Sequence, residues 1–168
     1  PPQLSKLGGT EWQNRVQKAR EGAKKLAVDL ARLYAARSSN GGFAFSKDSA
    51  WQKRLEDAFP YEETPDQAQA IAEVKADMEA PRPMDRLLCG DVGYGKTEVA
   101  MRAAFKAAQD SKQTAFLVPT TILAQQHYHT LLQRFADFPV RVACLSRFQS
   151  PKECAEIKKG LESGEIDV

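Results

Sequence analysis

Eight residues carry the clearest chemistry in this chain: Gly90-Asp91-Val92-Gly93-Tyr94-Gly95-Lys96-Thr97. They follow the pattern G-x-x-x-x-G-K-[ST] in full. Glycines at these places let the backbone curl until successive N–H groups point at one anion. A helix starting at Lys96 adds the positive end of its dipole at the same point. A lysine there reaches the β- and γ-phosphates of a nucleotide, and a threonine hydroxyl joins a Mg²⁺ shell. Lys96 and Thr97 are therefore the candidate catalytic groups, and Thr97 is the candidate metal ligand. The loop is a site for a nucleoside triphosphate. By itself it says nothing about what the energy drives.

Other residues are open to two readings. Gln67 lies 23 residues before Gly90. Its amide offers a donor and an acceptor together, which suits the edge of adenine. Thr64-x-x-Gln67 is equally a capping box. Phe59 or Tyr61 can stack on a base or pack in a core. Pro119-Thr120-Thr121-Ile122-Leu123-Ala124-Gln125-Gln126-His127 joins a strand pattern to a helix pattern. Its hydroxyls and amides suit nucleic-acid phosphates, while Thr120 or Thr121 also makes a plain helix cap. Arg147 suits a phosphate or an ordinary surface. His127 and His129 point in different directions on a helix, which argues against a metal pair.

These groups need a scaffold. From residue 84 onward, short apolar runs alternate with helical patterns. Strands are predicted at Arg86–Cys89, Thr114–Val118, Val140–Leu145 and from Ile166. Helices are predicted at Lys96–Gln109, Ile122–Phe135 and Pro151–Glu162. Such alternation implies βαβ units and a parallel sheet. Ahead of it, Thr64 and Pro65 start a helix to about Glu79 with Ile71, Val74 and Met78 inward. A shorter helix is predicted from about Asp48 to Ala58, with Trp51 and Leu55 inward.

The first part of the chain reads as one long helix. Trp12, Val16, Ala19, Ala23, Leu26, Leu30 and Leu33 recur in steps of 4 and 3, which draws one apolar stripe. Thr10 and Gln13 fit a capping box, and Gly41-Gly42 fits a helix end in left-handed geometry. About 27 helical residues reach about 40 Å. Arg15, Lys18, Lys24, Lys25 and Arg32 form the other face.

The chain has 168 residues and a net charge of +2, so composition gives little sign of nucleic acid. Cys89, Cys144 and Cys154 are an odd number without a CxxC pair. A disulfide framework or zinc site is not expected, and a reducing cytoplasm is. No apolar run approaches the roughly 20 residues that span a bilayer. Pro1 in place of a starting Met, and a turn leading into a strand at Gly164–Val168, suggest a piece of something longer.

Three strings, in order, resemble superfamily 2 helicases: Phe59…Thr64-x-x-Gln67, Gly90–Ala100 and Val118–His127. The resemblance is strongest to the subgroup holding RecG and the transcription-repair coupling factors. Met84–Gly93, Ser146-Arg147-Phe148, Leu4-x-Lys6-Leu7-Gly8-Gly9-x-x-Trp12, Gly42–Phe45 and the long basic helix favour the coupling-factor branch. That branch implies a bacterial, cytoplasmic motor that hydrolyses ATP and translocates on double-stranded DNA. It displaces stalled RNA polymerase and brings in excision repair, through regions outside this chain. The resemblance makes Gln67 the adenine reader and Phe59 part of the same nucleotide motif. Asp91, Val92, Tyr94 and Glu98 are carried with the phosphate loop. Pro119, Thr120, Thr121, Gln125 and Arg147 become nucleic-acid contacts. It also implies a linker over residues 1–45, then, over 46–168, the first part of a RecA-like α/β domain.

The departure from the pattern is truncation, because the acidic DExx box belongs after Val168. Weak nucleotide binding and little or no ATP turnover are therefore expected of this chain alone. Two alternatives stay open: a RecG-like helicase of branched DNA, and a nucleotide-gated interaction module built on the long helix.

Overall fold

The computed structural model describes residues 8–168, with the chain divided into two compact units between Gly42 and Phe43. Leu4, Lys6 and Leu7 of the resemblance lie outside the described residues.

The first unit is helix α1, Glu11–Ser39. Thr10 does not cap it. Its backbone is itself helical (φ −80, ψ −10) and its side chain makes no capping bond, whereas a cap needs extended backbone. The helix ends through extended Asn40, whose N–H donates to the Arg37 carbonyl. Gly41 does not take the left-handed form expected of it: Gly8, Gly93, Gly95 and Gly164 are the glycines with positive φ among the described residues. No residue of α1 is buried. The apolar stripe is open to solvent, with Trp12 64% exposed.

The second unit begins with Phe43 and Phe45, whose rings meet edge to face at 5.0 Å. The Phe45 N–H donates to the Met78 carbonyl. Helix α2, Ala50–Asp57, is capped by Ser49 Oγ, which accepts from the N–H groups of Trp51 and Gln52. It buries Leu55 and Gln52, while Trp51 stays half exposed. The Gln52 amide is satisfied there by Glu56, Gln109 and the Arg102 carbonyl, which is how a polar side chain can take the inward position. Helix α3, Pro65–Glu79, starts with a complete Thr64–Gln67 capping box and buries Ile71, Val74 and Met78. Helices α4, Lys96–Gln109, α5, Thr121–Arg134, and α6, Pro151–Glu162, complete the set.

Helix α4 is the centre of the unit. One side joins a cluster of Leu55, Met101, Ala104, Phe105, Leu131, Phe135 and Val168. Another side joins Ile71, Val74, Met78, Val99 and Ala107. Phe105 is fully buried and packs on Phe138 at 4.7 Å.

No strand forms among the described residues. The expected sheet segments come together only through the last residues. The Thr114 N–H donates to the Asp167 carbonyl at 2.8 Å, and the Ala143 N–H to that of Val168 at 2.9 Å. The Asp167 and Val168 N–H groups donate to the Arg141 carbonyl. Residues 166–168 thus sit between the other two segments, bonded on both sides. A parallel ladder needs evenly repeated bonds along the strands, and these few do not repeat. Residues 86–89 bond to none of the other extended segments.

Candidate nucleotide site

The phosphate loop is built by two left-handed glycines, Gly93 (φ +85) and Gly95 (φ +73). Gly95 caps α4, and the Glu98 N–H donates to its carbonyl at 2.9 Å. The amides of Lys96 and Thr97, ahead of that bond, are the N-terminal donors that the helix itself leaves without a partner. A side chain at Gly95 would put its Cβ 2.5 Å from Gln67 Nε2. Lys96 folds back over the loop, and its Nζ donates to the carbonyls of Gly90 at 2.6 Å and Asp91 at 2.5 Å. The cation is thus held within the loop. Val92 and Tyr94 project into solvent.

Gln67 is joined to this loop. Its Oε1 accepts from the Thr64 N–H at 2.9 Å, closing the capping box. Its Nε2 donates to the Tyr94 carbonyl at 3.0 Å. Capping and contact with the loop are both present, through different atoms of one amide. Phe59 is half-buried. Its ring lies 5.5 Å from that of Tyr61 and within 5.3 Å of the Arg102 guanidinium.

Glu98 differs from its expected place beside the phosphates. It is 9% exposed, and its carboxylate bonds Arg102 and Arg134. This carboxylate is thus part of an ion cluster. Sequence reasoning missed Arg102, Arg134 and Lys106. Burial pulls the Arg102 guanidinium down, but the bonds from Glu98 and Glu63 outweigh it, and the group stays charged with its pKa raised. Burial likewise pulls Lys106 down, and Asp48 and Glu79 more than restore it. Lys106 Nζ also donates to the Ser46 carbonyl, pinning the entry segment to α4. One signal was available: charges at 98, 102 and 106 recur every four residues on an alanine-rich helix, one above the other.

The second candidate set lies elsewhere. Thr120 Oγ1 accepts from the Leu123 N–H at 3.3 Å, so this hydroxyl caps α5. Pro119, Thr120 and Thr121 line a groove of about 370 Å³ together with Ser146. Gln125 is half-buried, its amide 3.9 Å from Cys144 Sγ. Arg147 is exposed beside the Phe148 ring, at 5.5 Å. Among the described residues no helix is long and apolar enough to cross a membrane, and no cluster of acidic, histidine or cysteine side chains could hold a metal ion.

The DEAD/DEAH box helicase model matches residues 64–166, more than half of the chain. The chain belongs to the DEAD/DEAH box helicase family. Its relatives include transcription-repair-coupling factors. That of Staphylococcus epidermidis is 58% identical over 167 residues, and that of Bacillus subtilis is 57% identical over the same length. Each match covers 99% of this chain and 14% of the relative. The chain thus spans about a seventh of the length of these relatives. Among solved structures, RecG bound to a three-way DNA junction superposes with a TM-score of 0.77 at 37% identity. It covers 91% of this chain and 22% of that one. The helicase fold of this chain is accordingly RecA-like.

Proposed function

We propose that this chain forms the nucleotide-binding part of an ATP-driven translocase on double-stranded DNA, one that displaces stalled RNA polymerase and couples transcription to excision repair. The observation that carries it is the loop at Gly90–Thr97, curled by two left-handed glycines into the start of α4 and bonded to Gln67. Identity of 55–58% to coupling factors, against 37% to the RecG structure, favours the coupling factor over a branched-DNA helicase.

In this reading the amides of Gly93–Thr97 cradle phosphate, and Lys96 moves from the Gly90 and Asp91 carbonyls onto the β- and γ-phosphates. Thr97 would hold Mg²⁺, which would supply neutralisation of phosphate charge. Gln67 reads adenine, exchanging its bond to Tyr94 for one to the base, and Phe59 stacks on it. Pro119, Thr120, Thr121, Gln125 and Arg147 contact the DNA backbone. The segments at 86–89, 114–118, 140–145 and 166–168 belong to the parallel sheet of the RecA-like core. Residues 1–45, mostly α1, link that core to the polymerase-contacting part, and residues 46–168 begin the motor. The protein works in the bacterial cytoplasm.

The test is a calorimetric titration with Mg-ATP and Mg-GTP. ATP binding lost in Lys96→Ala, with preference over GTP reduced in Gln67→Ala, is the expected result. Equal binding of both nucleotides by all three proteins would remove the adenine-reading site.

A further inference from the structure

Four charged side chains meet where α4, α5 and the segment after α2 come together. Glu98 Oε1 accepts from Arg102 Nε at 2.9 Å and from Arg134 Nη2 at 2.6 Å. Glu98 Oε2 accepts from Arg134 Nε at 3.1 Å. Arg102 Nη1 reaches Glu63 at 2.6 Å. Arg134 also donates to the carbonyls of Leu55 and Ala58. Arg102 is only 2% exposed. Buried ion clusters of this kind seldom stabilise a fold more than well-packed apolar side chains do. Stability alone therefore does not account for it.

What the cluster borders is Phe59. The guanidinium carbons of Arg102 and Arg134 lie 5.3 and 5.6 Å from its ring centroid. Both arginines bond the same Glu98 oxygen, so they stand too close together to occupy opposite faces of the ring. They hold it from one side, where its electron-rich face attracts cations. Arg102 Nη2 has no hydrogen-bond partner, and this ring is the electron-rich group beside it. Glu63, the residue before the Thr64 cap, ties the same cluster to the start of the Gln67 helix.

We propose that Glu98, Arg102 and Arg134 are positioning residues that brace Phe59 from behind as the stacking platform for the adenine base. The proposal rests on the reading of Phe59, Gln67 and the phosphate loop as an ATP site. None of the three touches the reacting phosphates. Their effect is on the base alone.

The experiment compares the affinity of the purified protein for Mg-ATP and for inorganic Mg-triphosphate, with circular dichroism to check folding. The wild type should bind ATP more tightly than triphosphate. Phe59→Ala, Arg102→Met and Arg134→Met should each lose about five- to tenfold in ATP affinity while triphosphate affinity is kept, the size of one aromatic or cation–π contact. Lys96→Ala should lose both ligands. If Arg102→Met does not fold, Arg134→Lys replaces it, since it keeps the charge and loses the fork to Glu98. Phe59→Ala losing the advantage of ATP while folded arginine variants keep it overturns the bracing role and leaves the ATP site standing. A wild type that binds triphosphate as tightly as ATP, or neither ligand, overturns both.

Discussion

The two sides of the second unit make opposite use of similar residues. Around α4, apolar side chains from α2, α3 and α5 close over one another, and Phe105 is fully buried. In the extended segments, Leu117 is 99% exposed and Leu87 is 86% exposed. The helical side is closed by residues drawn from Leu55 to Val168 along the chain. The extended side bonds only through residues 166–168. A helix satisfies its own backbone, whereas a strand depends on neighbours, so the two sides depend differently on what else is present.

The contrast predicts unequal responses to substitution. Phe105→Ala should cost about 3–5 kcal/mol, read as a lower urea midpoint. A change under 1 kcal/mol would mean that the helical core is as loose as the extended side. Gly95→Ala should follow, at about 1–2 kcal/mol for the left-handed backbone. It should also weaken ATP binding, because the new methyl meets the Gln67 amide; unchanged calorimetric affinity would detach Gln67 from the loop.

The ion pairs that anchor the entry segment give a pH dependence. Burial pushes the Asp48 carboxyl up, but Lys106 and Lys75 hold it below its ordinary 3.8. Lys47 and Lys106 hold Glu79 below 4.5. Both carboxyls are depressed in the fold, so their contribution is complete above those ordinary values. It is lost as the pH falls through the lower folded values. Urea midpoints should therefore drop below about pH 4.5, and Lys106→Met should flatten that drop. An unaltered acid profile in Lys106→Met would show these pairs to be inert.

The smallest effect belongs to the extended side. Leu117→Ser should move stability by less than about 0.5 kcal/mol. It should nevertheless reduce self-association in sedimentation, since an exposed apolar edge is an association hazard. A large loss of stability would erase the contrast.

Much of the helical side was legible because its signals are local. Thr64, Pro65 and Gln67 mark a helix start within four residues, and Ile71, Val74 and Met78 mark its inner face. The turn at Gly90–Thr97 was legible because its two left-handed positions, 93 and 95, are glycines. Trp51 misled because size suggests burial, while Gln52 is inward with three polar partners drawn from Glu56, Arg102 and Gln109. Thr10 misled because a capping pattern does not fix backbone geometry. The brace on Phe59 was hidden for a simpler reason. Arg134 and Glu98 are 36 residues apart, Arg102 and Glu63 are 39 apart, and no local pattern joins them.

Helix α5 begins at the Thr120–Thr121 loop and ends at Arg134. At 1.5 Å per residue it is a strut about 21 Å long. Its far end is fastened to Glu98 and to the carbonyls of Leu55 and Ala58. A stiff rod cannot be pushed along its axis at one end alone. Under the proposed function, a load placed on the DNA-contacting loop arrives as a displacement at the base platform, and grip on one ligand and grip on the other share one mechanical coordinate.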